Sequence, residues 1–97
     1  MLTIKQLCEE SHKIAVEKGF WDGKRPVSEL LMLIVTELGE ACEADRKTNF
    51  ENFKEEIADT FIRLGDMCCA LNIDIESEIE KKMEYNKTRP FKHGKKY

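Results

Sequence analysis

Proline and glycine are scarce in this chain, two and five of 97 residues. A many-stranded sheet needs turn residues at short, regular intervals, so little room is left for an all-β fold. No stretch reaches the roughly 20 apolar residues that a membrane-spanning helix requires, and no membrane partner is expected. The start, MLTIKQLCEESHK, has neither a basic opening nor an apolar secretory core, so no signal peptide is expected. The four cysteines (Cys8, Cys42, Cys68, Cys69) form no Cys-x-x-Cys pair and have no zinc-like spacing to histidine. They read as reduced thiols, three of them at small-residue positions in helical runs, which fits a cytoplasmic protein.

What the chain has is charge, 36% of its residues, unevenly placed. From Lys81 to Tyr97 stand seven Lys/Arg and one acid, a charge of +6, so the first eighty residues carry −9. A basic tail on an acidic body suits a nucleic-acid arm, or a divided site with carboxylates for a metal and cations for phosphates. The tail is short and poor in aromatics, which argues against a nucleic-acid polymer as partner.

Four helices are expected in residues 1–97, read as one domain. Thr3 with Gln6 forms a capping-box signature for a first helix from Ile4 to about Lys18, stopped by Gly19. Ser28 is a suitable N-cap for a second helix to about Lys47. Its run Leu30-Leu31-Met32-Leu33-Ile34-Val35 is apolar all round, so it needs cover on several sides and a second chain to help supply it. A third helix runs from Phe50 or Glu51 to Leu71, with Phe53, Ile57, Thr60, Phe61, Leu64, Cys68 and Leu71 as its stripe. A fourth runs from Asp74 or Ile75 to about Lys87, before Pro90, and the remainder reads as an irregular tail. Short connections imply antiparallel neighbours in an all-α bundle.

Two carboxylate pairs carry the chemistry: Glu37-Leu38-Gly39-Glu40 and, after fifteen intervening residues, Glu56-Ile57-Ala58-Asp59. Spacing of i,i+3 puts each pair on one helical face, about 5–6 Å apart. Both pairs border apolar stretches, where an uncompensated carboxylate is costly. Four such groups meeting across a helical hairpin would repel unless a cation lay between them. All-oxygen ligands favour Mg²⁺, with Mn²⁺ also possible, over zinc. On the fourth helix Ile75, Ile79, Lys82 and Asn86 share one stripe, placing a lysine and an asparagine at core-facing positions. Lys82 can snorkel to solvent or hold a phosphate, Asn86 can donate to a phosphate or a sugar, and Arg89 adds a bidentate anion fork.

Glu37-x-x-Glu40, the fifteen-residue gap, Glu56-x-x-Asp59 and then Lys82-x-x-x-Asn86-x-x-Arg89 resemble the MazG-like all-α nucleoside triphosphate pyrophosphohydrolases. The resemblance implies a four-helix bundle completed by oligomerisation, as a homodimer or as a homotetramer built from dimers. It implies Mg²⁺-dependent cleavage of a nucleoside triphosphate to the monophosphate and pyrophosphate, in nucleotide-pool house-cleaning on a dNTP or a non-standard nucleotide. Glu37, Glu40, Glu56 and Asp59 would hold the metal, and Glu37 or Glu40 would act as the catalytic base. Lys82, Asn86 and Arg89 would bind phosphate or substrate. Relatives preferring pyrimidines use a histidine on the first helix and a tryptophan soon after, positions matched here by His12 and Trp21 for base binding. Trp21 would equally serve as an aromatic closing the bundle end, and His12 as a surface residue. A second tryptophan found in those relatives is missing, with Arg46-Lys47 in its region, so the preferred base is left open. The alternatives are phosphoribosyl-ATP pyrophosphohydrolase activity and a non-catalytic helical interaction module. A di-iron carboxylate bundle needs two Glu-x-x-His motifs, and Glu9-x-x-His12 is the only one.

Overall fold

The computed structural model describes all residues 1–97 and contains four α-helices and no strand: α1 (Ile4–Glu17), α2 (Val27–Arg46), α3 (Phe50–Ala70) and α4 (Ile75–Lys87). A 3₁₀ turn, Phe91–Gly94, follows in what the sequence presents as an irregular tail. Thr3 caps α1 with the reciprocal Gln6 bonds of a capping box. Asn49 and Asp74 cap α3 and α4 by accepting from Asn52 and Ser77. Ser28 is not the N-cap of α2. The helix begins one residue earlier behind Pro26, whose fixed φ of −65° leads the extended chain into the first turn.

Helices α1, α2 and α3 end in the same way, with a left-handed residue just past the cap: Gly19 (φ 84°), Thr48 (φ 53°) and Asn72 (φ 58°). At each end the amide of that residue and the one after it turn back onto helix carbonyls, the second reaching five residues back: Phe20 to Ala15, Asn49 to Ala44 and Ile73 to Cys68. This closure reverses the chain in a few residues and lays α2 and α3 side by side as a hairpin.

The core lies where α1, α2 and α3 meet: Cys8, Leu30, Ile34, Met67 and Cys68 are buried, with Ile4, Trp21, Cys69 and Ile75 packed around them. Gly65 lets α1 approach α3 closely, since a Cβ there would stand 3.3 Å from Cys8 Cα. The inward face of α3 overlaps the apolar stripe expected of it at Thr60 and Cys68, which are buried, and at Phe53 and Ile57, which are half-buried, but is rotated away from the rest of it. Thr60, Gly65, Met67 and Cys68 are buried, while Phe61 and Leu64 are exposed. α4 touches mainly α1 and buries no residue. Within the single chain, Lys82 is therefore exposed and not core-facing, and Ile75, Ile79 and Asn86 are half-buried. The radius of gyration is 15.8 Å, against roughly 12–13 Å for a compact chain of this length. The chain is open in shape, and Leu31, Val35 and Leu38 form an uncovered apolar stripe on α2. No helix is long and apolar enough to cross a membrane.

Candidate metal centre and adjoining pocket

The α2–α3 hairpin brings the two carboxylate pairs together. Ligand oxygens of Glu37, Glu56 and Asp59 all lie within 4.8 Å of one another, and Glu40 stands within hydrogen-bonding reach of Glu56. Their packed face holds because the acids have partners. Arg63, nearly two turns after Glu56 on α3, donates from Nε to Glu37 Oε1 at 2.7 Å. Glu37 is buried, yet that bond holds its carboxyl below the usual carboxylate range, against the opposing effect of burial.

Glu56 goes the other way. Neighbouring Glu40 and Glu37, followed by desolvation, push its carboxyl up to about 7. Like charges this close resist ionising together, so Glu56 gives up its proton only near neutral pH. Its Oε2 is shielded from solvent and has no hydrogen-bond partner. A divalent cation among these oxygens would relieve both conditions, by ionising Glu56 and giving Oε2 a partner. The donor set, oxygen only, suits Mg²⁺ or Mn²⁺.

Beside the acids opens a pocket of about 300 Å³ between α1, the α1–α2 connector and α3. Glu37, Asp59 and Arg63 are among its lining residues. Ile14, Phe20 and Ile62 form the apolar wall, and Ser11, Arg25 and Asp66 add polar groups. A second hollow of about 290 Å³ lies on the far side of the cluster, walled by Glu40, Glu56, Lys47, Asn49 and Asn52.

His12 and Trp21 are neighbours, with ring centroids 5.4 Å apart in an edge-on arrangement. Asp66 joins them: its Oδ1 accepts from Trp21 Nε1 at 2.8 Å and lies 2.8 Å from His12 Nδ1. The Arg25 guanidinium stacks over Trp21, 5.0 Å from its centroid. Neither His12 nor Trp21 lines the pocket; Asp66 does. Lys82 and Asn86 on α4 and Arg89 just past its end form a group of their own. Lys82 and Arg89 both approach the Tyr85 ring, and Arg89 Nη1 reaches Asn86 Oδ1 at 3.5 Å. They line neither hollow, so one chain does not bring them to the acids.

Sequence reasoning assigns no role to Asp66, Arg25 or Arg63. Asp66 lies seven residues after Asp59 and three after Arg63, a helical spacing that places all three on neighbouring parts of one face. That was the available signal. Compared with models of known protein families, with curated proteins and with solved structures, the chain matches none.

Proposed function

We propose that the protein is a Mg²⁺-dependent nucleoside triphosphate pyrophosphohydrolase of MazG-like type, converting NTP and water to NMP and pyrophosphate. The observation that carries this reading is the three-carboxylate cluster, its oxygens within 4.8 Å of one another, with the shielded and unpartnered Oε2 of Glu56 among them. A structural salt-bridge network would satisfy its own oxygens; this one leaves a place for a cation. The adjoining pocket has room for a nucleoside.

Glu37, Glu40, Glu56 and Asp59 would hold the cation. When bound, it supplies Lewis-acid charge that activates water and offsets the negative charge gathering on pyrophosphate. Glu37 is tied to Arg63, which weakens it as a proton acceptor. Exposed Glu40, free of any cation partner, is the better-placed base of the two glutamates. Arg63, at the pocket wall, is near enough to the acids to meet a phosphate entering there. Lys82, Asn86 and Arg89 would come from the partner subunit of a homodimer, or of a homotetramer made from dimers. The uncovered stripe of Leu31, Val35 and Leu38 fits such an assembly. A cytoplasmic dNTP or non-standard nucleotide is the substrate class this reading favours.

The test is product analysis of a nucleotide panel, phosphoribosyl-ATP included, with and without Mg²⁺. Monophosphate plus pyrophosphate is expected. Wild-type turnover in Glu40→Gln or Asp59→Asn would refute the reading. A second reading, a non-catalytic helical interaction module, draws on the same uncovered apolar stripe of α2; it requires no turnover and no effect of Mg²⁺ on melting.

A further inference from the structure

Asp66 belongs both to the wall of the pocket and to a bonded group behind that wall. Trp21 Nε1 and His12 Nδ1 both converge on its Oδ1, each at 2.8 Å. Oδ2 takes part in neither contact. Two ring nitrogens held by packing therefore fix the carboxylate's rotation, and the side chain is only 14% exposed. Asp66 shares the pocket lining with Glu37 and Asp59 and with the apolar side chains of Ile14, Phe20 and Ile62, which offer surface to a flat ring. A few fixed polar groups on an apolar wall are what set specificity in such pockets.

Resting on the nucleotide reading above, we infer that Asp66 is a specificity-determining residue. Its Oδ2 reads the nucleobase and selects bases whose edge presents an exocyclic amino group, cytosine before uracil. A carboxylate offers acceptors only, and cytosine N4 is a donor. Uracil and thymine place a keto oxygen at that position, so lone pairs would face lone pairs. His12 and Trp21 are then positioning residues acting through Asp66, not base ligands. Glu37 and Asp59 line the same pocket, so the triphosphate of a base held by Asp66 would have the acids within that cavity.

The substitution Asp66→Asn separates reading from support. An amide oxygen in the place of Oδ1 still accepts from both rings, while the amide NH₂ turns a donor into the pocket. Binding of cytidine and uridine monophosphates to the full chain is measured by fluorescence of Trp21, the only tryptophan, and by calorimetry. Hydrogen bonds to charged groups of this kind correspond to about tenfold or more in affinity. The wild type should favour cytidine by at least about tenfold, and Asp66→Asn should lower that ratio by a similar factor. Equal binding of the two, preference for uridine, no binding of either, or a ratio unchanged in the variant would overturn the assignment. Should the variant fail to fold, the wild-type ratio decides alone. A wild type that binds with this ratio and releases no pyrophosphate upholds Asp66 and overturns only the hydrolysis.

Discussion

Replacing Arg63 with methionine keeps much of the stem and removes the one cation paired with the acidic cluster. Arg63 Nε donates to Glu37 Oε1 at 2.7 Å, with side-chain exposures of 35% and 10%. Without it, a buried carboxylate faces Glu56 and Asp59 inside a 4.8 Å group. A hydrogen bond between charged partners contributes about 1.5–3 kcal/mol. Arg63 is partly solvated, which places the loss at the lower end, about 1.5–2 kcal/mol. For a chain of this length that is a fall of roughly 10 °C in Tm, read by calorimetry in a chelator. In excess Mg²⁺ the deficit should shrink, because the bound ion replaces the missing positive charge. A ligand at 100 times its Kd adds about 2.7 kcal/mol to the folded state. An Arg63→Met protein that melts like the wild type in chelator, or that falls equally with and without Mg²⁺, would refute this reasoning.

The raised carboxyl of Glu56 has a signed consequence. Its folded pKa of about 7 stands above the ordinary glutamate value of 4.5, so the folded state binds more protons between those values. Metal-free stability should therefore fall as pH rises from about 4.5 to 7, and Glu56→Gln should flatten that slope in urea titrations. Mg²⁺ affinity should rise across the same upper range, with proton release seen by calorimetry in buffers of different ionisation enthalpy. Glu37 acts oppositely: its lowered pKa gives stability above 4.5 that is lost as pH falls through its folded value. Gly65→Ala would press a Cβ against Cys8 Cα at 3.3 Å and should cost about 1–3 kcal/mol in urea denaturation. Gly39→Ala, with nothing within 4 Å, should gain about 0.5–1 kcal/mol. Lys82→Ala and Arg89→Ala should raise KM for the nucleotide while leaving Tm nearly unchanged, since α4 buries no residue.

The helices could be read from the sequence because their ends are local. Thr3, Asn49 and Asp74 each bond within three residues, and Gly19 marks a stop that needs no tertiary contact. Ser28 misled because a serine suits the N-cap, yet Pro26 already sets the entry conformation. The facing of α3 was harder to read. This helix carries apolar residues on two sides, and exposed Phe61 and Leu64 match or exceed buried Gly65 and Met67 in hydrophobicity. The packed side is chosen by what α1 and α2 offer, namely the Cys8 backbone for Gly65 and Glu37 for Arg63. The clustering of Glu37, Glu56 and Asp59 followed from i,i+3 spacing plus a hairpin, both local inferences. The bonds of Asp66 to His12 and Trp21 span 54 and 45 residues, and only the assembled fold brings those side chains together. The position of α4 depends on what covers it, so a core-facing Lys82 could not be read from one chain.

The central claim is that the α2–α3 acids form a seat for a divalent ion, and diffraction from Mn²⁺-soaked crystals at the manganese absorption edge tests it directly. An anomalous peak bounded by Glu37, Glu56 and Asp59 is the predicted result. Crystals saturated with Mn²⁺ that show no peak there would contradict it.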